Sequence, residues 1–252
     1  MFSGILAHLQ PGIAAVRRFY LPFLLVQSVS LLIVISYYNY LPFQDFCARL
    51  GQWKVQGGLV FAALATVFAG GILPEIFKAL TGKLDLKDGW KSYLTHLFWV
   101  CLMYGFTGIL VERFYWLQGY LFSTEISPST VVTKVFVDQF LFSPFIALPP
   151  AMLYFLWLEE GCNLRRTWNR ITPRLMVERC LPLIFPNWVY WIPMNFCTYS
   201  LPPDLQFPLF LTGLAAWSMI FIFIVQQPSL APKDLPLRST ESLDKSPTTD
   251  LN

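Results

Sequence analysis

The stretch that most constrains this chain runs from Val131 to Gly161, VVTKVFVDQFLFSPFIALPPAMLYFLWLEEG. From Gln139 to Leu158 it carries no charge for 20 residues, about the length a helix needs to cross the hydrocarbon core of a bilayer. Its leading end nonetheless holds Lys134, Asp138 and Gln139, and its middle holds Pro144, Pro149 and Pro150. Charge at the edge of a span is costly, and each proline deletes a backbone N–H and frees the carbonyl four residues earlier. Lipid offers no donor to the carbonyls of Phe140, Phe145 and Ile146, so other helices or a wet cavity must. The stretch predicts a broken helix beside a polar interior.

The rest of the chain has the same character. It is 252 residues long, 55% hydrophobic and only 13% charged, with a mean hydropathy of +0.51. A soluble domain is nearer about 25% charged, so the class is membrane protein. Nine Trp, 11 Tyr and 23 Phe suit aromatic belts at two interfaces. The basic residues follow short loops instead of clustering on a face, which argues against a nucleic-acid partner. Cys47, Cys101, Cys162, Cys180 and Cys197 are odd in number and widely spaced, an arrangement that favours packing over a disulfide framework or zinc site. No metal or cofactor is expected.

Six runs of 20 or more residues lack Asp, Glu, Lys and Arg: Phe19–Gln44, Val55–Pro74, Ser92–Val111, Gln139–Leu158, Cys180–Pro203 and Leu205–Pro232. The expected fold is all-α, a polytopic transmembrane bundle of about six hydrophobic segments, four to six of them spanning and several broken by proline. Residues 1–18 form a short N-terminal segment that resembles a mitochondrial presequence only loosely, and the run after Arg17 and Arg18 reads as a retained span. Residues 19–225 form the membrane domain. The polar stretch 226–252, rich in Pro, Ser, Thr and Lys, is expected to be a disordered tail. With six crossings, 14 of the 18 lysines and arginines fall on one side and four on the other, as the positive-inside rule requires. Four-span arrangements survive if segment one or five lies along the interface.

Polar residues inside these runs are the candidate functional groups. His96 lies in the apolar part of segment three, as a partner for a neighbouring helix or a proton carrier. Gly105 and Gly108 share one face and permit close helix approach, and Glu112 and Arg113 mark an interface. Lys134 and Asp138 are four apart, either a local ion pair near the surface or the outer mouth of a polar pathway. Segment five holds Pro182, Pro186, Pro193, Pro202 and Pro203 with Asn187 and Asn195. So many breaks argue against a straight helix and for a backbone covered by protein or water.

Three blocks then resemble a known family, the small membrane proteins typified by the peroxisomal membrane protein of twenty-two kilodaltons and the Mpv-seventeen mitochondrial inner-membrane protein. Gly105–Phe106 and Gly108 with Phe114–Tyr115 resemble its Gly-Pro…Trp-Tyr block, with Ile109 where proline is expected. Asp138–Gln139, Phe142 and Pro144 match its Asp-Gln-x-x-Phe-x-Pro, with Glu160–Gly161 closing the helix. Trp188, Trp191, Asn195, Tyr199 and Pro203 resemble its third block, although Asn195 stands for glutamine, Thr198 for asparagine and Phe207 for a later arginine. The chain is similar to a remote member over roughly residues 69–225. The resemblance implies a weakly selective pore for small solutes or metabolites in a mitochondrial inner or peroxisomal membrane, a bacterial plasma membrane being the other option. The expected partners are membrane lipid and small solutes, with self-association into a homo-oligomer also compatible.

Lys134, Asp138, Gln139, Pro144, Asn187, Trp191, Asn195 and His96 are therefore the expected lining of a pore or polar interior. A structural or assembly protein without transport is the alternative. An intramembrane lipid enzyme is disfavoured, because His8 and His96 are the only histidines and no nucleophile motif is present.

Overall fold

The computed structural model describes residues 2–82, 84, 86 and 89–225, and among them the only regular structure is helical. Helix α1 is Phe2–Asn39, and α2 is Leu41–Thr66. A π-helical segment, Val67–Ile72, joins α2 to α3, Leu73–Leu80; α4 is Gly89–Phe122. Helix α5, Pro128–Val137, passes through a second π-helical segment, Asp138–Ala147, into α6, Leu148–Glu159. A short α7, Leu164–Arg170, precedes α8, Pro173–Tyr199, and α9, Pro203–Val225.

Among the described residues, four rods are long and apolar enough to cross a membrane: Tyr20–Asn39, Leu41–Leu80, Gly89–Phe122 and Pro128–Glu159. This is the architecture of an integral membrane protein. Helices α8 and α9 complete the bundle by packing against one another and against α1 and α2. Helix α1 runs without interruption through residue 18. The first apolar run is instead divided at Tyr40, whose extended backbone (φ −133°, ψ 102°) starts α2 with Pro42 in its first turn, where a missing N–H costs nothing. The expected polar tail lies outside the described residues.

Short turns reverse the chain at Tyr40, at residues 123–127 and at residues 200–202, and side-chain contacts place all three at one end. The Tyr38 hydroxyl donates to the carbonyl of Ser200 (2.6 Å), and Gln118 near the end of α4 reaches Tyr199 at the end of α8 (2.6 Å). Charge pairs gather at the other end. Arg179 makes a two-pronged contact with Glu159 (3.0 and 2.9 Å), Arg170 pairs with Glu160, and Glu75 receives Lys78 (2.5 Å) and Tyr93 (3.0 Å). That end carries the arginine-rich connection 159–179, the side on which the basic residues concentrate.

The prolines of segment five do not break it. Helix α8 is continuous through Pro182, Pro186 and Pro193, and it buries Leu183, Asn187, Tyr190, Trp191, Met194, Asn195 and Thr198. The sequence predicts an irregular backbone covered by protein; the cover is present and the irregularity is not. The carbonyl of Tyr190 also accepts from Gln27 Nε2 of α1 (2.6 Å), which ties α8 to α1.

Helices α2 and α4 approach through glycine. A β-carbon at Gly108 would lie 2.5 Å from the carbonyl oxygen of Ala62 and closer still to the Thr66 hydroxyl, and one at Gly70 would collide with the Tyr104 ring. Gly105 and Gly108 thus act as their spacing predicts. Helix α4 continues past Glu112 to Phe122, and Glu112 pairs with Lys54 of α2 (2.7 Å). We expect Gly108→Val to lower the thermal midpoint in detergent by about 5 °C or more through overpacking against backbone. Gly119→Ala, which meets only the Thr124 methyl at 3.4 Å, should leave it unchanged; equal shifts would refute the close crossing.

Candidate functional site

The site starts from Pro144. A proline in an α-helix would leave the carbonyl of Phe140 without a donor. Instead the backbone widens from Asp138 to Ala147 into a π register, in which each carbonyl faces the residue five positions on. The Leu148 N–H accordingly donates to Ser143. The carbonyl that faces proline becomes that of Gln139, one residue earlier than the α-helical register predicts. It accepts from the Trp188 indole N–H of α8 at 2.9 Å. The broken segment is thus tied to the central helix at the point where its own ladder fails.

The same register points a row of polar side chains at α8. Asn187 Nδ2 donates to Ser143 Oγ (2.9 Å) and lies 3.3 Å from Gln139 Oε1. Gln139 Nε2 in turn donates to Asp138 Oδ1 (2.8 Å). The other carboxylate oxygen accepts from the Tyr199 hydroxyl (2.5 Å), and that hydroxyl accepts from Gln118 Nε2 (2.6 Å). Asn195 lines the same cavity as that carboxyl group. Helices α4 and α8 and the α5–α6 rod therefore meet on one buried carboxylate, with Asp138 only 7% exposed.

Lys134 is buried as deeply, at 3% exposure, yet it forms no ion pair with Asp138. Its ammonium lies over the Tyr199 ring, 6.0 Å from the centroid, where the ring's quadrupole attracts a cation. One tyrosine thus engages both charges, the acid through its hydroxyl and the base through its face. Neither the surface ion pair nor the open pathway mouth is found at this position.

Above the cluster is a cavity of about 570 Å³. Asp138, Gln139, Ser143, Asn187 and Asn195 form its polar floor, and Leu110, Phe142, Trp191, Phe210 and Trp217 are among its apolar walls. Trp191 is held there by stacking on Phe210, with ring centroids 5.6 Å apart.

Of the residues singled out from sequence, Asp138, Gln139, Asn187, Trp191 and Asn195 come together at this cavity, Pro144 creates the register that aims them, and Lys134 stands behind Tyr199. His96 is not part of it; it is exposed on α4, away from the cluster. The side chain of His8 lies outside the described residues. Sequence reading missed Gln118, Ser143 and the role of Tyr199. Gln118 continues the buried face of Val111 and Tyr115 at helical spacing, and only the charges at Glu112 and Arg113 hid it. Among the described residues no cluster of metal-ligating side chains occurs. The chain matches no family model, no curated protein and no solved structure.

Removing the Tyr199 hydroxyl leaves a carboxylate oxygen and an amide donor unpaired in the interior. Tyr199→Phe should therefore destabilise the detergent-solubilised protein by about 1–3 kcal/mol, with Trp188→Phe costing about 1 kcal/mol through the Gln139 carbonyl. Denaturant titration followed by circular dichroism measures both, and a Tyr199→Phe protein as stable as the parent would show that the bridge is not formed.

Proposed function

We propose that this chain provides a membrane pathway for small solutes, acting as a weakly selective pore or channel that is closed at the Asp138 layer. The single observation that carries this reading is the cavity of about 570 Å³ ending on a buried carboxylate held by three rods of the bundle. A void of that size accommodates a small molecule, and a few convergent polar groups on an apolar wall are what such sites use to orient one. Keeping an ionisable residue at membrane depth is expensive and is the mark of a functional position. The resemblance to the Mpv-seventeen group supports the same reading and suggests a mitochondrial inner or peroxisomal membrane.

In this reading Asp138 and Tyr199 form the constriction. Opening separates Tyr199 from Asp138, which frees the carboxylate to face the passing solute. The second reading is a structural protein, and the near-complete internal pairing of the polar cluster favours it: the same bonds can serve only to fasten helices. Planar-bilayer recording separates the two. The pathway reading predicts discrete conductance steps that change amplitude or ion preference in Asp138→Asn. A bilayer that stays silent at comparable protein density, with solute retention in proteoliposomes unaltered, would overturn it.

A further inference from the structure

The cavity opens sideways. At the end near Asp138 the gap between α4 and the α5–α6 rod is closed by Phe114 stacked on Phe142, ring centroids 3.8 Å apart and planes within 10°. At the opposite end it is closed by the edge of Trp99 against Trp157 (5.0 Å) and by the Tyr154 hydroxyl, which donates to the Trp99 carbonyl (2.7 Å). Between these two aromatic closures Leu102 and Phe106 of α4 and Ile146 of the π segment line the void while also standing on the outer surface, Phe106 with 65% of its area exposed. That surface belongs to a rod long and apolar enough to span, so the window faces acyl chains and not water.

The floor behind this window sets an unpartnered acceptor beside a carboxyl group. Asn195 is 1% exposed, lines the cavity, and its Oδ1 has no hydrogen-bond partner. Beside it stands the Asp138 carboxylate. Tyr199 and Gln139 donate to Asp138, and Asn187 donates to Ser143. The Lys134 ammonium is not part of the lining. A buried acceptor without a donor is costly, and the cost is relieved by a guest that brings one.

We infer that the cavity takes an amphiphile from the lipid phase: a molecule with an apolar tail and a protonated amine, which donates to Asn195 Oδ1 and the Asp138 carboxylate while the tail lies between Phe106 and Leu110. The apolar wall and acceptor floor discriminate against an anionic head, which would stand beside Asp138, and give a neutral hydroxyl only part of the interaction. The inference rests on the pathway reading for its physiological meaning, but the binding does not depend on conduction.

The test uses the full chain in phosphatidylcholine nanodiscs titrated with n-decylamine, n-decanol and decanoic acid, each corrected for its uptake by protein-free discs. Decylamine should bind saturably and about tenfold or more tighter than the alcohol or the acid. Asp138→Asn should remove that preference. Ala151→Phe, which adds a ring at a cavity-lining position of α6 outside the polar cluster, should abolish saturable binding even if the Asp138 variant fails to fold. Equal binding of the three probes, no saturable binding, or decylamine binding unaffected by Ala151→Phe would overturn the inference. Flux recorded in the same preparation keeps the two ideas apart. Conduction with no amine preference sinks the inference alone, and amine binding without conduction sinks the pathway reading alone.

Discussion

The architecture depends on what happens to one carbonyl. Pro144 cannot donate, so somewhere in the Asp138–Ala147 segment an oxygen must look outside its own helix for a proton. The widened register hands that need to Gln139, and Trp188 meets it from the central helix. This bond fixes the rotation and height of the α5–α6 rod against α8. With both fixed, Asp138, Gln139 and Ser143 face Asn187, Asn195 and Tyr199, and the cavity forms over them. In an unbroken α-helix these side chains would spread around the axis at the ordinary spacing. The proline defect is what collects them.

Burial of Asp138 follows from that alignment and not from any local preference of the sequence. A carboxyl group in the interior is tolerated when donors converge on it; here Gln139 of its own rod and Tyr199 of α8 donate to it, and Gln118 of α4 holds that tyrosine. The bundle therefore holds its polar layer by contacts that join distant parts of the chain, whereas α2 and α4 approach closely through glycine and are joined by the Lys54–Glu112 ion pair. The two devices are complementary: one is directional and sparse, the other rests chiefly on contiguous backbone contact.

Much of this was legible in the residues. Four of the six uncharged runs fall on the four spanning rods, Gly105 and Gly108 announced a close crossing, and the pairing of prolines with amides announced a polar interior. The limits were physical. Charge counting ended segment three at Glu112, but an ion pair with Lys54 lets an acid continue inside the bundle, so the face carrying Gln118 was lost. Four-residue spacing suggested that Lys134 would touch Asp138, but a tyrosine more than sixty positions away outcompetes the nearer partner, and no local rule anticipates that. His96 looked buried because its neighbours are greasy. In a membrane, greasy neighbours are as much the mark of the lipid face as of the core. The prolines of α8 looked disruptive because sequence cannot show that the surrounding helices enclose it.

The face of Tyr199 that carries Lys134 has a consequence for how such a chain can diverge. The acid and the base do not touch, yet both engage the same tyrosine, so the three residues depend on one another. Replacing any one of them strands the others in a medium that cannot solvate them. Drift at these positions is therefore expected in concert, as a triplet exchanged together for uncharged residues or kept whole, while the greasy outer face of α4 a few ångströms away is free to change one residue at a time.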